Sequence, residues 1–452
     1  MASFKKFQAP RGTRDFYPAD MAVRRYIESV WRTTSINHGF DEVEGPTFEH
    51  LELYTHKSGP GIVSELFSFT RSGGDTLYAL RPEFTPTLAR RVAARAAQLP
   101  KPIKWFALPG HYRAERPQRG RLREFFQWNV DHLGGEDDPA RAEAEVIACA
   151  IGALERFGLT PDDVKVHIFD RRIAEARAKA SGVEGDRFLS LLWLIDNMGK
   201  MSEEQIRAEV EKHGITQDDV IGFREHFRRA KALSASGKPI NEVSAEIGLS
   251  EELVSNVAQV LNHLGSIGLG AWQTFDPDIV RGLAYSTGTV FEIIATGERA
   301  VAGGGRYDRL IESFGGPSMP ACGFGMGDVV LGLLLHDKGL LPEDLYMAPL
   351  RPHVFVIAAN DEAGRHLPPL IAQLRKEGFH VRQSYRATRN VGKLLGEAGK
   401  LRARSVVILG DELAHGRVAL KDMDGGQQQE IALQTLAQSI RHVLDAHDRA
   451  GV

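Results

Sequence analysis

The sequence predicts an α+β fold: an antiparallel sheet with flanking helices, an inserted helical domain, and a small α/β domain at the C-terminal end. Three observations predict it. Short strand-like runs separated by turn residues dominate the segment before residue 171, a charged helical pattern fills about 171–265, and strands alternate with helices after 353. With 452 residues, the chain also exceeds the size at which one hydrophobic core keeps growing, so two or three domains are expected.

The N-terminal elements follow from hydrophobic spacing and from turn residues. Apolar side chains at helical intervals precede Gly39, and two β-type runs flank the turn at 72–75. In chain order we predict a helix over 21–38, a strand over 40–48, a hairpin of 66–70 with 76–80, strands over 103–109 (with Tyr112) and 125–130, a helix over 140–157 and a strand over 162–169.

The C-terminal half changes its rhythm twice. After the helical stretch we predict strands over 289–294 and 300–302, a glycine-dense run over 303–327, and a buried helix over 329–335. Later come strands over 354–358, 380–384 and 405–409, alternating with helices over 362–376 and 391–401. Such alternation predicts a mainly parallel sheet. The predicted domains are 1–340, with an insertion at about 171–265, a linker over 341–352, and 353–452.

Composition excludes several classes of protein. The formal net charge of −3 gives no global sign of a nucleic-acid partner, so any such site must be a local basic patch. Cys149 and Cys322 lie far apart, which leaves neither a CxxC zinc spacing nor a disulfide framework, and we expect no metal site built by the protein. No apolar run approaches membrane-spanning length and the first ten residues do not resemble a signal peptide, so we expect a cytoplasmic protein.

A basic loop between two predicted strands, within segment 112–131, is the first candidate for chemistry. It is dense in arginine and ends at the aromatic residue Phe125. A strand–loop–strand can present guanidinium groups bidentately to phosphate oxygens while an aromatic ring stacks on adenine, and an ATP site needs both. Arginine density alone favours a solvated basic hairpin. The full spacing of the segment favours the nucleotide site.

That spacing resembles motif 2 of class II aminoacyl-tRNA synthetases, in the form found in histidyl-tRNA synthetases. The resemblance implies that residues 1–340 form a class II catalytic domain. It implies that Arg113 holds the α-phosphate and the histidine carboxylate, Glu115 the adenine end, and Arg121 the γ-phosphate. By the same resemblance Phe125 faces the base and Arg123 belongs to the ATP site.

Segment 80–86 is similar to the strand-end motif with which this family grips the ammonium group of its amino acid. A carboxylate at Glu83 and a hydroxyl at Thr85, two residues apart, would share one face of a strand and bind one cation. Gln127 and Asp131, four apart on the next predicted strand, would share a face with them. Taken alone, segment 80–86 is best interpreted as the end of a surface strand. Its occurrence in the same chain as segment 112–131 favours the functional interpretation.

Segment 281–292 resembles a signature of histidyl-tRNA synthetases, and 302–308 matches the family as well. The resemblance makes Arg281 a second catalytic cation, opposite Arg113 across the α-phosphate, and assigns Tyr285, Ser286 and Tyr307 to the histidine site. Fixed guanidinium groups stabilise the charge that spreads over the phosphorus as the carboxylate attacks. No general base is required, because that carboxylate is already ionised at neutral pH.

Selectivity for histidine would follow from imidazole itself, since one ring nitrogen donates and the other accepts. Asp131 opposite one nitrogen and a hydroxyl opposite the other would reject apolar analogues by leaving buried groups unpaired. The chain departs from the family pattern in this region and in the next. Ala284 and Ser286 stand where the family has aspartate and tyrosine. Val330 stands where motif 3 has its ATP-binding arginine, a loss of about 1.5–3 kcal/mol if one charge-assisted contact is missing.

The remaining segments imply partners. Residues 353–452 resemble the anticodon-binding domain of class II synthetases, and their basic residues near 386–404 include Arg389 and Lys393. For any single one of these basic residues, a solvated helix face is the better interpretation. The resemblance also brings Arg116 and Gln118, in the loop of segment 112–131, to the acceptor end of tRNA. Segment 39–47 resembles motif 1, which helps form a symmetric dimer in the family.

The resemblance therefore implies a homodimeric histidine–tRNA ligase that uses ATP, Mg²⁺, L-histidine and tRNA(His). Two other hypotheses stay open at this stage. One is a histidine-sensing subunit like the synthetase-like partner of ATP phosphoribosyltransferase, a class that generally lacks the anticodon-binding domain and the arginine signature. The other is a tRNA-sensing module that binds tRNA but does not form an adenylate.

Overall fold

The computed structural model describes residues 7–58, 60–135, 137–198, 201–235, 238, 240–277, 279, 286–296, 300–342 and 351–450. They fall into two compact units. The first comprises Met1–Asp15 with Arg24–Pro342, and the second Phe16–Val23 with Glu343–Val452. No helix in the described ranges is long and apolar enough to cross a membrane.

The first unit is built on strands β1 to β12 and helices α1 (from Arg24 onward) to α12. Its strands are β1 (Asp41–Glu42), β2 (Phe48–His50), β3 (Ser68–Thr70), β4 (Leu77–Leu80), β5 (Ile103–Ala107), β6 (Gly110–Tyr112), β7 (Glu124–Leu133), β8 (Val164–Asp170), β9 (Gln273–Phe275), β10 (Thr289–Ala295), β11 (Ala300–Arg306) and β12 (Ala321–Gly327). Its helices are α1 (Pro18–Asn37), α2 (Leu51–Ser58), α3 (Thr85–Arg95), α4 (Pro139–Arg156), α5 (Arg171–Ala180), α6 (Asp186–Asn197), α7 (Glu203–Lys212), α8 (Gln217–Ala235), α9 (Ile240–Glu246), α10 (Glu251–Ser266), α11 (Leu310–Ser313) and α12 (Asp328–Asp337).

The central sheet has the strand order β1-β5-β7-β12-β11-β10-β8-β9, and β6 pairs with β7 at one end. Its pairings are antiparallel except β1 with β5 and β8 with β9 at the two edges. Glycines of the two middle strands lie in register, with Gly303 opposite Gly325 and Gly305 opposite Gly323. Because glycine has no side chain, nothing projects from the sheet at these positions, and the longer side chains of β7 can lie across them.

The predicted strand over 40–48 is wrong in its middle. Only Asp41 and Glu42 pair with the central sheet, and Phe48 opens β2, which joins the separate sheet β2-β4-β3. Pro46 lies between them and has no N–H to donate to a ladder, so the chain leaves one sheet and enters another. The hairpin predicted after it is confirmed, because β3 and β4 pair antiparallel.

The stretch predicted to be helical contains α5 to α10. These helices pack around a core that they share with the edge of the sheet: Phe188, Phe223, Phe227 and Val257 belong to one hydrophobic cluster with Phe169 of β8, Phe275 of β9 and Val290 of β10. One polar side chain of α10 ties them to the sheet: the amide of Asn256 donates to Glu143 Oε2 and to Thr289 Oγ1, at 2.9 Å in each case.

The second unit is a mixed sheet with helices. Its elements are β13 (Val354–Ala358), α13 (Asp361–Lys376), β14 (Val381–Gln383), α14 (Val391–Lys400), β15 (Ser405–Leu409), β16 (Arg417–Asp422), β17 (Gln428–Ala432) and α15 (Leu436–Ala450). The predicted strand–helix alternation is confirmed up to β15, where the pairings are parallel. The mainly parallel sheet is wrong, because β16 and β17 add two antiparallel pairings around a turn at Asp422 and Gly426.

Candidate active site

A cavity of about 380 Å³ lies on the central sheet. Its lining comes from the segment between β4 and α3, from the first residue of α3, from β7 and β10, and from the glycine-rich strands β11 and β12. The residues are Glu83, Thr85, Arg113, Gln127, Asn129, Asp131, Ile279, Val290, Phe291, Glu292, Gly303, Gly304, Gly305, Tyr307, Gly323, Phe324 and Gly325. The term amino-acid cavity is used for it below.

One face of β7 supplies the polar wall of this cavity. Gln127, Asn129 and Asp131 alternate along the strand, so their side chains project from the same face. Each pairs across the ladder with a glycine of β12. A Cβ at Gly325 would meet the Gln127 amide at 2.6 Å, so the absence of a side chain there is what lets Gln127 lie across the sheet.

Asp131 is held at the closed end of the row. The hydroxyl of Tyr307 donates to its Oδ1, and both residues are at least 95% buried, with exposures of 5% and 4%. A Cβ at Gly323 would lie 2.6 Å from Asp131 Oδ1 and 2.7 Å from the tyrosine hydroxyl. The glycine therefore makes room for this hydrogen bond, which fixes the direction of the carboxylate.

Glu83 and Thr85 reach the cavity by a different route from the predicted one. Strand β4 ends at Leu80, and Thr85 is the first residue of α3, whose Pro86 suits the first helical turn. The two side chains therefore do not share a strand face, although both line the cavity. Arg81, which directly follows β4, has a structural role, because it is buried and forms an ion pair with Glu44 at 2.7 Å.

Arg113 stands where this cavity meets a second one. Its Nε donates to the carbonyl of Pro82 at 3.0 Å, and its guanidinium carbon lies 5.0 Å from the centre of the Phe125 ring. These two contacts fix the plane of the guanidinium group. Arg113 and Gln127 line both cavities.

The second cavity, here called the phosphate cavity, has a volume of about 220 Å³. It lies between the loop of segment 113–123, β11, and the first turn of α12. Its lining residues are Arg113, Gly120, Arg121, Leu122, Phe125, Gln127, Ala300, Val301, Ala302, Gly303, Gly325, Gly327, Val329 and Val330. Arg113 and Arg121 give it positive charge on one side, and the valines of α12 make the other side apolar.

The loop is shaped by its own hydrogen bonds. Gln118 and Arg121 exchange backbone hydrogen bonds at 3.0 and 2.9 Å around Gly120, whose φ of +74° suits glycine. The side chain of Arg121 forms an ion pair with Glu115 at 2.6 Å. Arg123 donates from Nε to the Glu115 carbonyl at 3.1 Å and so braces the loop from its far side.

A buried histidine supports Phe125 from below. The ring of His111 stacks on Phe125, with centroids 5.4 Å apart and an angle of 23° between planes. Burial lowers the pKa of His111 well below its ordinary value, and the nearby guanidinium of Arg113 acts in the same direction. His111 is therefore a neutral platform for the aromatic ring.

Comparisons with known proteins agree over nearly the whole chain. A family model described as "Histidyl-tRNA synthetase" matches residues 12–327, and one described as "Anticodon binding domain" matches residues 353–442. The histidine–tRNA ligase of Opitutus terrae is 36% identical over 441 residues, which cover 96% of this chain and 98% of that protein. The histidine–tRNA ligase of Thermococcus kodakarensis is 36% identical over 454 residues, with coverage of 96% and 98%. The chain belongs to the histidyl-tRNA synthetase family.

The fold agrees with that assignment. The crystal structure of histidyl-tRNA synthetase from Nostoc sp. PCC 7120 matches with a TM-score of 0.74 and 25% identity, over 97% of this chain and 99% of that chain. The class II synthetase fold predicted from the sequence is therefore confirmed.

In this histidyl-tRNA synthetase fold, the structure brings most of the sequence-predicted site residues together. Six of the residues predicted to bind histidine line the amino-acid cavity: Glu83, Thr85, Arg113, Gln127, Asp131 and Tyr307. Arg113, Arg121 and Phe125 line the phosphate cavity, while Glu115 and Arg123 stand beside it in the loop. Arg281 and Tyr285 lie outside the described residues.

Ser286 is the exception among the described residues. It is buried, its hydroxyl oxygen has no hydrogen-bond partner within the described part of the chain, and it does not line either cavity. The adjacent strand β10 carries Glu292, which does line the amino-acid cavity. Sequence reasoning missed Glu292 and also Asn129, although the alternation that joined Gln127 with Asp131 already includes Asn129 between them.

The residues predicted to contact tRNA are at the surface. Arg116 and Gln118 are exposed at the tip of the loop. In the second unit, Arg389 pairs with Asp361 at 2.9 Å, and Lys393 is exposed in the first turn of α14.

Proposed function

We propose that this chain is a histidine–tRNA ligase, which joins L-histidine to ATP as histidyl-adenylate with release of pyrophosphate and then transfers histidine to the 3′ end of tRNA(His). The observation that carries the proposal is the position of Arg113. Arg113 lines both the amino-acid cavity and the phosphate cavity. A substrate carboxylate in one and an α-phosphate in the other can therefore share one cation.

In this proposal the carboxylate oxygen of histidine attacks the α-phosphorus, the bond to the β-phosphate oxygen breaks, and pyrophosphate leaves. Arg113 attracts the carboxylate and then the extra charge on the phosphoryl oxygens, which is largest in the transition state. The resemblance adds Arg281 as a second cation for the same charge. No side chain has to take a proton, since the attacking group is already an anion.

The other lining residues would hold the substrate in place. The carboxylate of Glu83 and the hydroxyl of Thr85 suit the ammonium group, and Asp131 with Tyr307 suits the imidazole end. In the phosphate cavity, Arg121 suits the terminal phosphates and Phe125 the base. The carboxylate of Glu115 pairs with Arg121 and holds that side chain beside the phosphate cavity.

ATP is accordingly proposed as a substrate, accompanied by Mg²⁺. Among the described residues, no group of three or more acidic, histidine or cysteine side chains is arranged to hold a metal ion. Mg²⁺ is therefore assigned to the nucleotide phosphates, whose charge it neutralises, rather than to a site built by the protein.

We also propose a homodimer and a cytoplasmic location, as the family resemblance implies, and tRNA contacts through the exposed residues Arg116, Gln118, Arg389 and Lys393. Both cysteines are unpaired and buried, which suits a reducing compartment. The match of 353–442 to an anticodon-binding domain argues against the histidine-sensing subunit.

The tRNA-sensing module remains the second candidate, and the observation in its favour is Val330 in the wall of the phosphate cavity. Histidine-dependent exchange of pyrophosphate into ATP tests the choice. We expect exchange with histidine but not with phenylalanine, and its loss in Arg113→Ala. Purified protein that binds tRNA yet shows no exchange would establish the sensing function instead.

A further inference from the structure

Asn129 is a buried polar residue for which the proposed mechanism has no use. It lies in β7 between Gln127 and Asp131, lines the amino-acid cavity, and is 6% exposed. Its Oδ1 accepts no hydrogen bond from any described residue. Buried amide oxygens in folded proteins are nearly always paired, so this acceptor at the cavity wall is available to a donor that enters the cavity.

The two polar residues that flank Asn129 on the same face of β7 do not share its situation: one has a hydrogen-bond partner, and the other extends over a neighbouring glycine. Asp131 accepts a hydrogen bond from the Tyr307 hydroxyl, and Gln127 lies over Gly325 and also lines the phosphate cavity. Alternate residues on a strand are about 7 Å apart. A histidine with its carboxylate at Arg113 and its ring directed toward Asp131 must therefore pass over Asn129.

The charges in the cavity decide which part of the substrate Asn129 meets. The ammonium group has the Glu83 carboxylate and the Thr85 hydroxyl, which bind a cation better than a neutral amide does. The carboxylate has Arg113. What remains is the ring. The Asp131 carboxylate beside one ring nitrogen favours the protonated imidazole, which has an N–H on each nitrogen, so one N–H is left for the neutral acceptor of Asn129.

We propose that Asn129 is a specificity-determining residue of the amino-acid cavity, whose Oδ1 accepts a hydrogen bond from the ring N–H of the substrate imidazole. The inference rests on the proposed function, because it takes histidine as the amino acid. It adds to the site a contact that discriminates by side-chain chemistry. An apolar ring of the same size would leave the amide oxygen unpaired and bind more weakly.

Asn129→Leu removes the acceptor with little change in shape, and Asn129→Asp keeps an acceptor at the same place. The matched control is Asn262→Leu, an exposed asparagine of α10. Pyrophosphate exchange is measured with histidine and with thienylalanine, whose ring lacks the N–H, and binding of both is measured by calorimetry. We expect Asn129→Leu to raise the KM and Kd for histidine about tenfold and to leave the KM for ATP within twofold of the wild-type value. The KM and Kd for thienylalanine should stay the same or fall, because its ring no longer faces an unpaired amide oxygen.

Several results would overturn the inference. Equal losses for histidine and thienylalanine would place the contact on their shared backbone atoms or make Asn129 merely structural, and unchanged histidine binding would remove the contact altogether. If Asn129→Leu does not fold, Asn129→Asp must retain the preference for histidine over thienylalanine. A wild-type protein that binds histidine but shows no exchange would refute the proposed ligase function. The calorimetric comparison of histidine with thienylalanine would then still test the role of Asn129.

Discussion

Replacement of Arg113 by lysine tests the shared cation most directly. The Nε of Arg113 donates to the Pro82 carbonyl, which anchors the side chain, and the guanidinium group lies over the Phe125 ring. These contacts fix the plane of the group and therefore the directions of its remaining N–H groups. A lysine ammonium keeps the charge but is a point donor without such a plane. We therefore expect Arg113→Lys to lose the anchor and one of two charge-assisted substrate contacts.

The size of the effect follows from those two losses. The neutral anchor contributes about 1 kcal/mol and one charge-assisted contact about 1.5–3 kcal/mol. Together they amount to about 2.5–4 kcal/mol, which corresponds to a reduction of kcat/KM of roughly 70- to 900-fold. Steady-state pyrophosphate exchange, with histidine and ATP varied separately, measures it.

The control is Arg119→Lys in the same loop. Arg119 is exposed, pairs with Asp337 at 2.8 Å and lines neither cavity, so exchange should stay within twofold of the wild-type rate. If Arg113→Lys also stayed within fivefold at an unchanged Tm, a single cation shared by the two cavities would not be how this protein works.

Three further predictions concern Val330, Arg281 and His111. Val330→Arg adds a cation to the apolar wall of the phosphate cavity, so the KM for ATP in exchange should fall by about 10- to 150-fold. Arg281→Ala should lower the exchange rate far more than the calorimetric affinity for histidine, because its assigned role is in the transition state. His111→Met should gain stability relative to wild type in acid. Since the lowered pKa leaves His111 neutral in the folded state, the unfolded chain alone takes up a proton below about pH 6.5, and denaturant unfolding should show a difference that grows by at most about 1.4 kcal/mol per pH unit.

Each of these has a contrary result. An unchanged KM for ATP in Val330→Arg would mean that the wall is not beside the nucleotide. Equal losses of rate and affinity in Arg281→Ala would make that residue a ground-state contact. For His111, a stability difference independent of pH between 5 and 8 would mean that the buried ring does not resist protonation; His38, His132 and His226 are present in both proteins and cancel.

The sequence predicted the elements whose signals are local. Strands β13 and β15 begin and end at the predicted residues, and the helix predicted over 140–157 is α4, because apolar periodicity and buried runs are read from neighbouring positions. The hairpin of β16 and β17 was missed. β17 (Gln428–Ala432) is mostly exposed and carries few apolar residues, although the middle of β16 is apolar and buried.

The sequence predicted which residues line the amino-acid cavity better than it predicted how those residues reach it. Gln127 and Asp131 were joined correctly by strand alternation, whereas Glu83 and Thr85 were joined by a strand that ends at Leu80. Their meeting in one cavity depends on the helix start at Pro86, a tertiary arrangement that side-chain period cannot reveal. Ser286 shows that a matching position in the sequence does not guarantee a place in the site. It lies in the segment that resembles the family signature, but it lines neither cavity.

The structure also bears on how this chain manages without an arginine at Val330. Arg14 is near the same turn, but its Nη2 pairs with Asp328 Oδ2 at 2.7 Å, while Oδ1 accepts the backbone N–H of Phe126 at 2.8 Å. Burial raises the pKa of Asp328, and the charge of Arg14 opposes that rise. Asp328 thus joins the start of α12 to β7 through the Phe126 N–H, while its other oxygen pairs with Arg14. Arg14 is therefore paired with Asp328 and lines neither cavity. In the proposed function, the cations assigned to the phosphates are therefore Arg113, Arg121 and Arg281, and Val330→Arg tests whether a further cation in the wall of the phosphate cavity strengthens ATP binding.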